Sequence, residues 1–232
     1  KLAAGVAHEI NNPLTGILTF TEDLLEDAED GSELAEDLQV IYRETLRCRQ
    51  IVRDLLDYSR QGRLNRRLIQ LGHVVHRTLD LVRHQAAFHD ITFKVDLNEG
   101  KLRVKADPNQ IQQVLLNLII NARDAMDGKG MITVGSREHL AARRVELEVT
   151  DQGCGISAEN RRRIFEPFFS TKGDQGNGLG LAAVRSIIDK HEGHIEVESG
   201  LEQGATFRIH LPGTPADEPA VAENELKEET RP

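Results

Sequence analysis

Cysteine is scarce in this chain: Cys48 and Cys154 stand far apart, with no paired-ligand spacing around either. That excludes a disulfide framework and a thiolate zinc site, and leaves reduced thiols in a cytosolic protein as the expectation. Basic charge is short as well. Lys and Arg number 29 against 38 Asp and Glu, a net charge of −9, so the basic stripe that nucleic-acid binding requires is missing. No apolar run is long enough to span a bilayer and no signal peptide opens the chain, so membrane contact by these residues is not expected. There is no capping residue or methionine ahead of the helical pattern at the start, and the chain reads as a fragment. Internal repeats are absent too.

What the 232 residues do supply is room for one large domain or two small ones with real cores. Ala3, Ala7, Ile10, Leu14, Ile17, Thr21, Leu24 and Ala28 recur at spacings of four and three, which predicts a helix from about Leu2 to Asp30 with one bundle-type seam. Gly31 suits its end, and Ser32 can cap a second helix. That helix repeats the rhythm through Leu34, Leu38, Ile41, Thr45, Cys48, Val52, Leu55 and Ser59. Two such helices make an antiparallel hairpin that buries its seam poorly alone. A second copy closing a four-helix bundle, hence a homodimer, is the expectation, the alternative being packing on the rest of the same chain.

The rhythm ends near Gln61-Gly62-Arg63, the best place for a domain boundary. Beyond it, strands are predicted at Leu68–Leu71, Ile91–Leu97, Leu102–Ala106, Ile132–Ser136, Val145–Thr150, Ile195–Glu198 and Thr206–Leu211. Helices are predicted over His73–His89, from Pro108 to about Met126, and to about Glu192. The strands at 91–97 and 102–106 turn at Asn98-Glu99-Gly100. Strict alternation, as in Val145, Leu147 and Val149 against Glu146 and Glu148, indicates strands with one wet face. The fold class is therefore a helical hairpin followed by an α+β two-layer sandwich with a mixed, mostly antiparallel sheet. The domains fall at 1–62, 63–213 and an acidic, disordered tail at 214–232.

Several stretches carry chemistry. His8 sits one residue past the first seam, with Glu9 beside it and Asn12 one turn on. Pro13 cannot donate to the carbonyl of Glu9, so the helix should loosen there. The site suits a nucleophilic imidazole, although a solvated helical histidine fits the same spacing. Asn117 and Asn121 share a helix face, followed by Asp124, and their amide oxygens suit a hydrated magnesium ion as well as a solvated polar face. Asp151-Gln152-Gly153-Cys154-Gly155-Ile156 leaves a half-buried strand, a carboxylate among glycines suited to the exocyclic amine of a flat ligand. Gly176-Asn177-Gly178-Leu179-Gly180-Leu181 opens a helix and forms an anion site, or a mere flexible loop. Gly204-Ala205-Thr206-Phe207 is a further tight turn.

In this order the stretches resemble the catalytic core of a two-component sensor histidine kinase, nearest the nitrogen-regulator-like branch, over about Lys1 to Pro212. His8-Glu9-Ile10-Asn11-Asn12-Pro13-Leu14 resembles the phosphoacceptor box. Asn117 through Asn121-Ala122-Arg123-Asp124-Ala125 resembles the asparagine box. Ile164-Phe165-Glu166-Pro167-Phe168-Phe169-Ser170-Thr171-Lys172 resembles the phenylalanine box, between two glycine boxes. The resemblance implies a Bergerat-type ATP-binding domain using ATP and Mg2+. Asp151 would hold the adenine amine, with Gly153, Gly155 and Thr206 around the pocket. Asn121, helped by Asn117, would ligate magnesium. Residues from about Ser157 to Asn177 would form a mobile lid, anchored by Phe165, Phe168 and Phe169. Lys172, Gly176, Gly178, Leu179 and Gly180 would reach phosphate.

By the same resemblance His8 takes the γ-phosphoryl, Glu9 accepts its proton, and the group passes to an aspartate of a response-regulator receiver domain. Asn12 suits receiver phosphatase activity, and Thr15, Leu18 and Thr19 a docking surface for the receiver. Two departures stand out. Asp124 and Ala125 occupy positions where many members carry lysine and an aromatic, so Arg123 or Lys172 is left to replace the phosphate contact. The alternatives are a hydrolytic ATPase of the same fold, which would need a glutamate where Asn117 stands, and a non-catalytic dimeric ATP-binding scaffold. The fragment is expected in the cytoplasm, with membrane anchoring of the full protein left open.

Overall fold

The computed structural model describes residues 2–59, 64–98, 102–172 and 177–215, and within these the side chains of all but 2–8, 50, 53–59 and 102. By its contacts the chain divides into two compact units. One joins residues up to Leu64 with Ile164–Ala183; the other joins Asn65–Arg163 with the chain from Val184 onward.

In the first unit, α1 (Leu2–Asp27) and α2 (Glu33–Ser59) form the hairpin. The turn uses Gly31 at φ +78°, and the Ser32 hydroxyl caps α2 by accepting from the Ala35 amide at 3.1 Å. α1 runs through Pro13 without interruption, and the Thr15 hydroxyl donates to the carbonyl of Asn11 at 2.9 Å.

Within one chain the stripe expected on α1 is only partly covered. Leu18 and Thr21 are buried, together with Ala35, Leu38 and Thr45 of α2. Ile10, Ile17 and Leu24, assigned to the same stripe, are exposed, as are Phe20, Leu34 and Ile41. A stripe of this width has two edges, and one partner helix covers only one of them. Leu18 is 5 % exposed, which removes it from the expected docking surface, while Thr15 and Thr19 stay exposed.

The second unit is the sandwich, with strands β1 (Arg67–Ile69), β2 (Ile91–Leu97), β3 (Leu102–Ala106), β4 (Gly130–His139), β5 (Arg144–Thr150), β6 (His194–Ser199) and β7 (Ala205–Pro215). The sheet order is β1-β3-β7-β5-β4-β2, with β6 also on β7. Only the β2–β4 pair is parallel among these pairings, so the sheet is mixed and mostly antiparallel. Helix α3 (Leu71–Arg83) packs on α4 (Pro108–Ala125), and both pack on the sheet. Helix α5 spans Gly180–Lys190, and the boundary between the units falls inside it.

Alternation carries the core as expected. Val145, Leu147, Val149, Phe207, Ile209 and Leu211 are buried, as are Ile111, Leu115, Leu118 and Ile119 of α4. Three expectations are corrected. β2 and β3 do not pair with each other: β7, β5 and β4 lie between them, and Glu99 and Gly100 of the expected turn lie outside the described residues. The helix expected to reach His89 ends at Arg83, followed by a short 3-10 turn, Ala86–Phe88, that buries Phe88. The expected strand also stops at Ile69, because Leu71 already opens α3. Residues 216–232 of the tail lie outside the described residues.

Ile209 is fully buried on β7, a strand paired with β5, β6 and β3. Ile209→Ala should cost about 2–5 kcal/mol of unfolding free energy in urea denaturation.

Candidate functional site

The site in the sandwich is organised by one carboxylate. Asp151 follows β5 directly, is 5 % exposed, and its Oδ1 accepts from the amides of Gly153 at 2.8 Å and Ala205 at 3.2 Å. The Asp151 amide in turn donates to the carbonyl of Ala205 at 2.9 Å. Register makes this possible, since Thr150 pairs with Thr206 across β5 and β7 and so sets Asp151 beside Ala205. Among the described residues, no donor reaches Oδ2. Burial pushes the carboxyl above the usual aspartate range, and the two amides pull it back.

The glycines beside it are fixed by close approach. A Cβ at Gly153 would lie 2.5 Å from the carbonyl of Ala125 at the end of α4, and Gly155, at φ +73°, would drive one into the carbonyl of Gly200. The loop is tied on both sides. The Cys154 amide donates to the Ala125 carbonyl at 3.0 Å, and the Ile156 amide donates to the Ser199 hydroxyl at 2.8 Å. Thr206 exchanges a hydroxyl bond of 3.0 Å with Thr150. Thr150 and Ser199 were not singled out from the sequence. Ser199 lies more than forty residues from the loop it braces, so only pairing reveals it.

Asn117 and Asn121 are half-buried, one turn apart on α4, and each takes part in a polar interaction within the chain. Among the described residues, no group of three or more His, Cys, Asp or Glu could hold a metal ion. The amide oxygens fit a hard, hydrated cation such as magnesium, which takes few protein ligands and keeps its waters. Asp124 accepts from Arg123 Nε at 2.9 Å, and the Arg123 guanidinium lies 5.1 Å over the Phe88 ring. These contacts occupy Arg123, one of the two residues weighed as a replacement for the phosphate-binding lysine.

In the first unit, Gly178 lies against the backbone of Phe168 and Phe169 with no room for a Cβ, and the Phe168 amide donates to its carbonyl at 3.0 Å. The Leu179 amide is capped by Asn177 Oδ1 at 3.2 Å, Leu179 is buried, and Gly180 opens α5. Phe165 and Phe169 are half-buried. Phe168 is corrected: its φ of +66° turns it outward and it is 67 % exposed. Lys172 is exposed and takes part in an interaction within the chain, its amide donating to Ser170 Oγ at 3.1 Å; Gly176 lies outside the described residues. On α1, Glu9 and Asn12 are exposed; His8 lies in the helix, and its side chain is outside the described set.

A helical hairpin bearing a histidine, followed by a sandwich with an Asp-Gly loop and a helix face of two asparagines, defines the phosphoacceptor and ATPase-fold halves of a kinase core. Comparison with known proteins agrees. Residues 1–64 match the His kinase A (phospho-acceptor) domain, and residues 106–215 match the histidine kinase-, DNA gyrase B- and HSP90-like ATPases. Sensor histidine kinase ZraS of Salmonella typhi is 41 % identical over 211 residues, which are 91 % of this chain and 45 % of that protein. The solved catalytic domain of histidine kinase ThkA is 35 % identical, with a TM-score of 0.57 over 65 % of this chain and 99 % of that one. ThkA in complex with response regulator protein TrrA is 32 % identical, with a TM-score of 0.66 over 94 % of this chain and 62 % of that one. Full-length ShkA in complex with AMPPNP is 26 % identical, with a TM-score of 0.73 over 94 % of this chain and 47 % of that one. The chain belongs to the sensor histidine kinases. It spans about half the length of the curated relative ZraS.

Asp151→Asn keeps an oxygen for the Gly153 and Ala205 amides but turns a donor toward the ligand. ATP affinity should fall about 100-fold by calorimetry, the loss of ~2–3 kcal/mol from a charged hydrogen bond. The raised carboxyl pKa also sets a pH sign. The native state holds this proton more tightly than the unfolded chain, so ionised Asp151 costs stability. That cost is absent below the unfolded pKa and complete above the folded one. The stability of Asp151→Asn relative to wild type should therefore rise with pH across that window in urea titrations.

Proposed function

We propose that this chain binds ATP in the sandwich, phosphorylates His8, and passes the phosphoryl group to an aspartate of a response-regulator receiver domain. The observation that carries the reading is the Asp151 carboxylate, held at Oδ1 by two amides with Oδ2 left for a ligand's donor. An adenine amine is the complementary group. The TrrA complex of ThkA supports a receiver as partner, and the AMPPNP complex of ShkA supports an adenine nucleotide as ligand. We assign dimerisation and phosphotransfer to residues 1–62, ATP binding to residues 63–213, and no catalytic part to residues 214–232.

Each residue then has a task. Asn121 and Asn117 would hold magnesium, which when bound would offset charge on the phosphates. Gly153, Gly155 and Thr206 shape the adenine end. Lys172, Gly176, Gly178, Leu179 and Gly180 would contact phosphate, the last two through amides at the opening of α5. Neutral His8 attacks the γ-phosphorus through one ring nitrogen; the N–P bond forms as the bond to ADP breaks, and Glu9 takes the proton from the other nitrogen. Asn12, exposed one turn from His8, would place a water against the receiver's acyl phosphate for the phosphatase reaction. We assign Asp124 to holding Arg123 rather than to the nucleotide.

The exposed apolar edge of the hairpin, including Ile10, Ile17, Leu24 and Ile41, suits a second copy of the chain, giving a homodimeric four-helix bundle. Among the described residues, no helix is long and apolar enough to cross a membrane. ATP and a receiver partner fit the cytoplasm as the working compartment.

Incubation with γ-labelled ATP and magnesium should yield acid-labile, alkali-stable label on wild type and none on His8→Gln. Label that persists in the variant, or ATP binding without label on wild type, would refute the assignment. Asn12→Ala should still take label, yet dephosphorylate its receiver at least tenfold more slowly; an unchanged rate dismisses the phosphatase role.

A further inference from the structure

Far from Asp151 in the sequence, a second polar cluster is buried in the sandwich unit and has no part in the reaction above. Asp107 is 8 % exposed and His191 is 2 % exposed. Asp107 caps α4 with Oδ1, accepting from the Asn109 amide at 3.0 Å, and with Oδ2 it accepts from the amide of Asn65 at 3.1 Å. The Asp107 amide donates to His191 Nε2 at 3.0 Å, and His191 Nδ1 lies 2.8 Å from the carbonyl of Ile187. Both bonds are satisfied only by the neutral ring protonated on Nδ1, and burial holds this histidine below its usual pKa. Arg66 completes the cluster, pairing with Glu192 Oε1 at 2.7 Å and donating to the carbonyl of Lys190 at the end of α5.

The position of these bonds in the chain gives them a purpose. Asn65 and Arg66 are the first residues of the sandwich unit, and residues 60–64 separate them from the end of α2. The cluster fastens this entering segment to the start of α4 and the end of α5. α4 carries Asn117 and Asn121 and ends against the Asp151 loop; α5 opens at Gly180. The Arg66–Glu192 pair is too solvated to add much stability, since Glu192 is 72 % exposed. Its geometry does more: a forked guanidinium meets a carboxylate and a helix-terminal carbonyl together, which fixes direction as well as distance.

Resting on the phosphotransfer reading, we propose that Arg66 is a positioning residue for transfer to His8. It ties the entering chain to the end of α5, one of the two helices that serve the nucleotide. Arg66→Ala removes the tie to α5 and leaves the Asn65–Asp107 bond, the Asp107 cap, the core and the adenine site in place. Arg66→Lys keeps the charge opposite Glu192 but loses the fork.

The test uses the whole chain. Affinity for a fluorescent ATP analogue is measured alongside the first-order rate of His8 labelling at saturating ATP. Arg66→Ala should lower that rate threefold or more with the dissociation constant within twofold of wild type, and Arg66→Lys should fall between. A rate loss under threefold overturns the proposal. So does a dissociation constant shifted more than twofold, which marks a merely structural residue. Wild type that binds the analogue but takes no label refutes the kinase reading itself, a result separate from either outcome in the variants.

Discussion

Two backbone amides converge on one oxygen of a buried carboxylate, and the rest of the sandwich is arranged so that they can. Asp151 would be costly to bury alone. The amides of Gly153 and Ala205 offset part of that cost, and a ligand donor at Oδ2 would offset more. The first amide needs a turn so close to α4 that only glycine fits at 153. The second needs the register of β5 against β7, which the buried alternation Leu147–Val149 and Phe207–Ile209 imposes. A one-residue slip of that register would place the wrong face of each strand in the core and remove Ala205 from the site.

The hairpin obeys a different constraint. Leu18, Thr21, Leu38 and Thr45 hold α1 on α2, and the remaining apolar edge is left to a second copy in the proposed dimer. Glu9 and Asn12 stay exposed on α1. Phosphoryl transfer to a helix-borne histidine requires such an open surface, because ATP and a receiver must reach it in turn. The buried Asp151 with the half-buried asparagines of α4, and the exposed Glu9 and Asn12 of α1, thus suit the two parts of the proposed reaction.

Local chemistry was legible in the sequence where it depends on neighbours. Asp107 followed by Pro108 marked the start of α4, and strict alternation marked β5 and β7. The bounds of β2 and β3 were readable too, but their partners were not, because pairing across the sheet is a non-local choice. The two-edged seam of the hairpin looked like one stripe, since periodicity does not say how many helices cover it. At the site, Asp151 and its glycines were visible as a motif. Ala205, Thr150 and Ser199 entered through the fold alone. Arg123 and Lys172 were both left open as phosphate contacts, and nothing in the spacing placed Phe88 beneath the Arg123 guanidinium.

The central claim is that Asp151 recognises the 6-amino group of adenine, and base discrimination tests it most directly. Calorimetric titration with ATP and with inosine triphosphate, which carries a carbonyl in place of that amine, compares ligands of equal charge and nearly equal shape. The account predicts that inosine triphosphate binds at least 100-fold more weakly, because an acceptor then faces a carboxylate in a buried site. Equal affinity for the two nucleotides would contradict it.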